Sequence, residues 1–197
     1  MKPPLCKILT LVTIGLVVLG TGVASAQTDV YRLNYFQGLE VGEGLFFETV
    51  RIDNPGLTYG NLCAMIYVFD RDQQMIECCG CVQSHNNLST IPLPSLILNP
   101  LTGEANVPVN GVIKIVSAAV NNSPCDPSTN VRPTPNLREW GTHFYFNSIA
   151  PLVFTETETE FSPSTLGATE LANLQAQCSF IHILGSGNGI CSCGPLE

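Results

Sequence analysis

The strongest constraint on the fold is a succession of short runs rich in β-branched and aromatic residues, each separated from the next by turn-forming residues. Proline fixes φ, and glycine and asparagine accept positive φ, so segments such as Asn54-Pro55-Gly56 and Asn110-Gly111 end one strand before another begins. Seven candidate strands result, at residues 45–53, 62–70, 75–82, 88–98, 112–120, 142–148 and 152–161. About seven short strands at this spacing predict a mainly β protein, a sandwich of two sheets.

Two of these runs carry more specific predictions. Residues 62–69 are apolar except for the hydroxyl of Tyr67, and a strand that is apolar on both faces is expected at the centre of a fold. Pro92 and Pro94 interrupt the run at 88–98. Because proline cannot donate to a strand ladder, that run is predicted to be an edge strand or an extended loop.

One helix is predicted near the C-terminus, over about residues 168–184. Its apolar stripe has the helical spacing i, i+3, i+7 and i+10 and consists of Leu171, Leu174, Cys178 and Ile181. Gly167 is an acceptable N-cap, and Gly185 is a usual C-terminal stop. We therefore expect a single helix that packs its apolar stripe on the sandwich.

Residues 1–26 have the features of a secretory signal peptide. Lys2 and Lys7 precede an apolar run, and Ala24-Ser25-Ala26 supplies the small residues of a cleavage site. Glycines interrupt the apolar run, which argues against a membrane anchor, and no later run reaches the roughly 18 apolar residues of a membrane span. The sequence therefore predicts one exported β-sandwich domain at 27–197, either secreted and extracellular or periplasmic.

The charge of the chain argues against two classes of partner. There are 8 Lys+Arg against 16 Asp+Glu, a formal charge of −8, and loss of Lys2 and Lys7 with the leader leaves 6 basic residues and a charge of −10. Nucleic acids and anionic membranes both attract clustered Lys and Arg. We therefore expect no nucleic-acid partner, no membrane partner after removal of the leader, and no cofactor.

Cysteines are the densest chemical feature of the sequence. Nine occur, and Cys6 leaves with the leader. The eight that remain are candidates for disulfides: Cys63, Cys78, Cys79, Cys81, Cys125, Cys178, Cys191 and Cys193. An even number in an exported chain predicts that they are paired. Neighbours such as Cys78 and Cys79 point to opposite faces of a strand, so each is expected to bond to a distant partner.

The pairing can be narrowed but not fixed from the sequence. The cysteines of the Cys-Cys-x-Cys motif are expected to bond to Cys178, Cys191 and Cys193, which leaves Cys63 with Cys125. The partner of each stays open, because eight cysteines allow 105 connectivities. The alternative is a soft-metal or thiol-redox site, since closely spaced thiolates bind zinc or Cu(I).

The segments 62–70 and Glu77-Cys78-Cys79-Gly80-Cys81 resemble a group of uncharacterised exported bacterial proteins that carry a Cys-Cys-x-Cys strand motif. Residues 111–116, 155–161 and the glycine-rich segment before Cys191 are similar to that group as well. The resemblance implies an exported domain. It implies no activity, because none is assigned to the group.

Three glutamates, Glu156, Glu158 and Glu160, alternate with threonines. On a strand this alternation places the three carboxylates on one face. One hypothesis is a calcium site, because hard cations bind several carboxylate oxygens. The favoured interpretation is a solvated or edge strand whose charges oppose pairing with another chain.

The sequence gives little support to catalysis. The three histidines, His85, His143 and His182, lie in no recognisable motif, and the glycine-rich segment around Ser186 is neither a nucleophile elbow nor a phosphate-binding loop. An exported hydrolase would require a cleft that holds a histidine within hydrogen-bond reach of a serine or carboxylate. The protein is therefore not expected to be an enzyme.

Three hypotheses of function remain. The leading one is a non-catalytic secreted or cell-surface module with a structural or interaction role. The first alternative is an exported metal-binding or thiol-redox protein that uses Cys78, Cys79, Cys81, Cys191 and Cys193. The second alternative is a filament subunit that exchanges strands, because the segment 27–41 is β-prone and could add to the open edge of another copy.

Overall fold

A computed structural model describes residues 29–37, 39–41, 44–46, 48–58, 60–98, 109–120, 124–129, 132–147, 153–183 and 191–193. The predicted leader, residues 1–26, lies outside these ranges. Across the ranges, we find no helix with the length and apolar character that crossing a membrane requires.

The described residues form eleven strands and two helices. The strands are β1 (Tyr31–Gln37), β2 (Leu39–Val41), β3 (Gly44–Phe46), β4 (Thr49–Asn54), β5 (Leu62–Asp70), β6 (Met75–Gln83), β7 (Asn87–Pro92), β8 (Asn110–Ala119), β9 (Arg138–Asn147), β10 (Val153–Glu160) and β11 (Ser162–Pro163). The helices are α1 (Pro94–Ile97) and α2 (Ala168–Ile183). The predicted mainly β class with a C-terminal helix is confirmed.

Nine of these strands form two antiparallel sheets. The five-stranded sheet has the order β11-β1-β8-β5-β6, and the four-stranded sheet has the order β10-β9-β4-β7. β2 and β3 pair with each other in a separate two-stranded sheet. The two larger sheets share one apolar core, to which Ile52 of β4 and Ile66 of β5 both contribute. The architecture is the predicted sandwich, and β1 and β11 extend one sheet beyond the seven runs seen in the sequence.

The strand β5 is central to the packing, as its apolar sequence predicted. All eight residues from Leu62 to Phe69 are buried. Because successive side chains point to opposite faces, Leu62 and Ile66 enter the core between the sheets, whereas Met65 and Tyr67 enter a second core on the outer face. The five-stranded sheet is therefore covered on both sides.

The helix α2 covers the second core. It begins at Ala168, as predicted, and ends at Ile183. Leu174, Cys178 and Ile181 are its buried residues, and they pack with Met65 and Tyr67 of β5. The helical stripe identified in the sequence therefore faces the sheet.

The run at 88–98 divides into two elements. Its first half forms β7, which lies at an edge of the four-stranded sheet, as its prolines predicted. Its second half is neither strand nor loop but the short helix α1, which has Pro94 in its first turn and four buried residues. Proline is well suited to the start of a helix because its fixed φ is helical and the missing N–H has no intrahelical partner there.

The N-terminal segment belongs to its own domain. All seven residues of β1 pair with β8, and Arg32 and Leu33 also pair with β11. Val30, Tyr31 and Phe36 are buried. The segment that could have donated a strand to another copy therefore occupies an interior position in its own sheet.

Candidate functional site

Four disulfides join all eight cysteines of the predicted mature chain. The bonds are Cys63–Cys125, Cys78–Cys178, Cys79–Cys191 and Cys81–Cys193, with Cα–Cα distances between 5.1 and 5.9 Å. These partners fall within the sets that the sequence favoured. Four disulfides indicate an oxidising, non-cytoplasmic environment, because thiols are kept reduced in most cytoplasms.

The alternation of β6 explains how three nearby cysteines reach different partners. Cys78 points into the outer core and bonds to Cys178 of α2. Cys79 and Cys81 point into the core between the sheets and bond to the C-terminal segment 191–193. One strand is thereby fastened to the helix on one face and to the C-terminal segment on the other.

The same cysteines supply the groups of possible metal ligands among the described residues. One group includes His182, whose Nε2 lies 3.7 Å from the sulfur atoms of both Cys78 and Cys178. The other group consists of Cys79, Cys81 and Cys193. Metals bind thiolates, and every sulfur in both groups belongs to a disulfide. The disulfides are therefore shown for these cysteines, and the metal-binding or thiol-redox role stays a prediction.

The acidic strand β10 lies at an edge of the four-stranded sheet. Glu158 forms an ion pair with Arg51, and Glu160 forms one with Arg32 at 2.8 Å. Calcium would need several of the carboxylates to converge on one point, whereas two of the three are paired with separate arginines. This geometry favours a charged edge strand, and the calcium site stays a prediction.

A buried carboxylate lies between the two sheets. Glu139 of β9 is 1% exposed, and its Oε2 lies 3.4 Å from Nε of Arg32 on β1. Burial raises the pKa of Glu139 to about 7; the charge of Arg32 opposes this rise, and the charge of Glu160 adds to it. The ion pairs of Arg32 with Glu139 and Glu160 connect the two sheets through charged groups.

Beside this ion pair, three side chains form a continuous hydrogen-bonded chain. Nδ1 of His143 on β9 lies 2.9 Å from Oε1 of Glu48, which directly precedes β4. Nε2 of the same imidazole lies 2.7 Å from Oγ1 of Thr159 on β10. A buried carboxylate, an imidazole and an exposed hydroxyl are thus linked in that order. We call these residues the Glu48–His143–Thr159 chain.

Neighbouring groups hold the two ends of this chain. The amide N–H of Gln37 donates to Oε2 of Glu48 at 3.1 Å, and Nδ2 of Asn34 donates to Oγ1 of Thr159 at 3.2 Å. Gly141 makes room for Asn34, because a Cβ there would lie 2.5 Å from Nδ2. Burial raises the pKa of Glu48, and its hydrogen bond with His143 opposes the rise.

The Glu48–His143–Thr159 chain lines an open cleft of about 780 Å³. Strands of both sheets form its walls, with β1 and β8 from one sheet and β9 and β10 from the other. Two tyrosines on its lining are strongly exposed, Tyr35 at 69% and Tyr145 at 58%. We call this feature the β1–β9 cleft. It combines aromatic surface with convergent polar groups, as ligand sites do.

Sequence reasoning did not find this site. His143 was considered only as a histidine without a motif, Thr159 only as a member of an alternating strand, and Glu48 and Asn34 not at all. Their contacts join residues 95 and 125 positions apart, so no local spacing signals them. A histidine in a cleft within hydrogen-bond reach of a carboxylate, which the hydrolase hypothesis required, is present in His143 and Glu48; the hydroxyl that His143 also reaches is that of a threonine, Thr159, rather than a serine.

No protein-family model, curated protein or solved structure matches the chain. The resemblance to exported bacterial proteins therefore stays a prediction, and the geometry of the site is the basis for the proposals below.

Proposed function

We propose that the protein is an exported binding module whose ligand site is the β1–β9 cleft. The observation that carries this proposal is the convergence of polar side chains from both sheets beside two exposed tyrosines. The four disulfides support the exported part of the proposal, because they indicate an oxidising compartment. The role matches the interaction module that the sequence favoured.

The chemistry of the cleft favours a neutral ligand that carries hydroxyl groups and a flat ring face, such as a saccharide. Tyr35 and Tyr145 offer aromatic faces on which such a ring can stack. The second amide N–H of Asn34 offers a donor for a ligand hydroxyl, and the remaining lone pair of Thr159 Oγ1 offers an acceptor. Three carboxylates, Glu48, Asp70 and Glu160, line the cleft against one arginine, Arg71, so the charge of the lining opposes an anionic ligand.

Binding can be tested by titrating the purified mature protein with a panel of neutral mono- and oligosaccharides in a calorimeter. At least one member should bind, and Tyr35→Ala and Tyr145→Ala should each weaken it by about tenfold. Phe180→Ala is the matched control, because Phe180 is an aromatic residue of α2 that is 61% exposed and does not line the cleft. Absence of binding to every saccharide, or equal loss in the control, would count against the proposal.

The metal or thiol-redox alternative makes a different prediction about the cysteines. It requires unpaired or labile sulfur, whereas the four disulfides support a structural role. Protein recovered from the exported fraction should therefore show no reactive thiol before reduction and eight after it. Stoichiometric zinc or copper in the unreduced protein would support the alternative instead.

The filament alternative depends on the N-terminal strand. The position of β1 between β8 and β11 supports an ordinary strand of its own domain. Light scattering at high protein concentration should show a particle that does not grow into polymers. A filament that disappears when residues 27–36 are deleted would favour strand exchange.

A further inference from the structure

We infer that the Glu48–His143–Thr159 chain is an acyl-transfer site that cleaves neutral carboxylic esters, with Thr159 as nucleophile. The inference goes beyond binding, and it rests on the proposed function in that both use the β1–β9 cleft. A hydroxyl is a weak nucleophile unless a base accepts its proton, and the base in turn needs a group that orients it. All three parts are present here at 2.7 and 2.9 Å.

The hydrogen bonds around Thr159 and His143 decide which group accepts the hydroxyl proton of Thr159. The backbone N–H of Tyr35 donates to Oδ1 of Asn34 at 2.9 Å, so the NH₂ group of that amide is the one that faces Thr159. Oγ1 of Thr159 therefore accepts from Asn34. Its own proton can then donate to Nε2 of His143 in the tautomer that carries the ring proton on Nδ1, which is the direction that general-base catalysis requires.

Glu48 acts as a positioning residue. When ionised, its carboxylate accepts from Nδ1–H of His143, which leaves Nε2 without a proton and ready to accept one. The N–H of Gln37 and the burial of the side chain hold the carboxylate in place. The same carboxylate stabilises the imidazolium that forms when the proton moves.

The site is also accessible and has a donor for the developing negative charge. Thr159 is exposed on the wall of the cleft, whereas Thr142, another hydroxyl of the same sheet, is buried and bonded to Thr49. Asn34 carries a second amide N–H beside Thr159, and asparagine amides serve as oxyanion donors in acyl transfer. The acidic lining favours neutral esters over anionic ones.

The reaction balances with an ester and water as the reactants. Oγ1 of Thr159 attacks the carbonyl carbon, and its proton passes to Nε2 of His143. The bond from the carbonyl carbon to the leaving oxygen breaks, and His143 returns the proton to that oxygen, which gives an alcohol and an acyl-threonine. Water then attacks the acyl group, passes a proton to His143 and releases a carboxylic acid, after which Thr159 recovers its proton.

The test uses a fluorophosphonate, which esterifies an activated hydroxyl with loss of fluoride, and then p-nitrophenyl acetate as a neutral ester. Mass spectrometry of the labelled full mature chain should place the adduct on Thr159. His143→Gln should slow both labelling and ester turnover by about 100-fold, and Thr159→Val should abolish the adduct. Thr155→Val is the matched control, because Thr155 is an exposed threonine of the same strand, and Thr159→Ser should keep the activity.

The pH profile separates positioning by Glu48 from a merely structural role. In the wild type the rate should rise as pH increases through the ionisation of Glu48, whose pKa is raised by burial against the opposing hydrogen bonds of His143 and the Gln37 N–H, and Glu48→Gln should lack this rise. Glu48→Gln should lower the plateau about 100-fold while its melting curve still shows a folded protein. An adduct at another residue, labelling of His143→Gln at the wild-type rate, or no adduct at all would overturn the inference.

The failures of the two proposals are distinguishable. Saccharide binding without an adduct on Thr159 would leave the binding module standing and would refute acyl transfer. An adduct on Thr159 without saccharide binding would refute the ligand class and would leave the acyl-transfer site standing.

Discussion

Replacement of Glu139 by glutamine should remove a large pH dependence of stability. Glu139 is buried between the sheets at 1% exposure, and burial raises its pKa from 4.5 to about 7. At about 1.4 kcal/mol per pH unit, this difference corresponds to about 3 kcal/mol. This figure already includes the opposing charge of Arg32, and it is an upper value because local relaxation reduces it.

The direction in which stability changes with pH follows from proton linkage. A carboxyl group whose pKa is raised on folding binds its proton more tightly in the folded state than in the unfolded state. Its contribution to stability is therefore fully present below about pH 4.5 and is lost as the pH rises through about 7. Glutamine carries no titratable proton, so Glu139→Gln removes this contribution to the pH dependence.

Urea denaturation at pH 4.5 and at pH 8, with the disulfides intact, gives the free energy of unfolding at each pH. The free energy of unfolding of Glu139→Gln minus that of the wild type should be about 2 to 3 kcal/mol larger at pH 8 than at pH 4.5. Glu156→Gln, at an exposed position of β10, should show a nearly constant difference. If the difference between Glu139→Gln and the wild type is the same at both pH values, the assignment of this titration to the buried carboxyl group is refuted.

Two further predictions concern the disulfide-stapled half of the sandwich. The disulfide Cys78–Cys178 spans 100 residues, so replacing both cysteines by serine should lower the free energy of unfolding by about 2 to 5 kcal/mol in urea denaturation, and an unchanged midpoint would contradict this. A Cβ at Gly80 would lie 1.8 Å from the carbonyl oxygen of Cys125, so Gly80→Ala should destabilise by about 1 to 3 kcal/mol or more. Gly167→Ala is its control, since no atom lies within 4 Å of that Cβ, and equal losses in the two variants would refute the steric explanation.

Much of the fold could be predicted because its signals are local. The apolar run of β5 indicated burial on both faces, and the stripe on α2 indicated the face that packs on the sheet. The alternation of Cys78 and Cys79 on one strand indicated that their partners lie on opposite sides. In each case neighbouring residues carry the information, so no knowledge of distant contacts was needed.

The candidate site could not be predicted because its signals are not local. Asn34, Glu48, His143 and Thr159 lie on or beside four different strands, and only the pairing of β9 with β4 and β10, and the packing of β1 against them, brings them together. The short helix α1 was missed for a related reason. Its proline was interpreted as a breaker of a strand, whereas the burial of all four of its residues makes a helical turn favourable there.

The two halves of the sandwich are stabilised in different ways, and the difference bears on function. At β6, three disulfides fix the helix and the C-terminal segment, and each contributes about 2 to 5 kcal/mol. At the interface of β1 and β9, by contrast, Arg32 pairs with the buried Glu139, and buried ion pairs are often no more stabilising than packed apolar side chains. A chain that required only stability would be expected to fill this interface with apolar residues, as it does around Ile52. The ion pair reaches the cleft through Glu160, so the proposed ligand site, if it binds, gives this polar interface a role that stability alone does not.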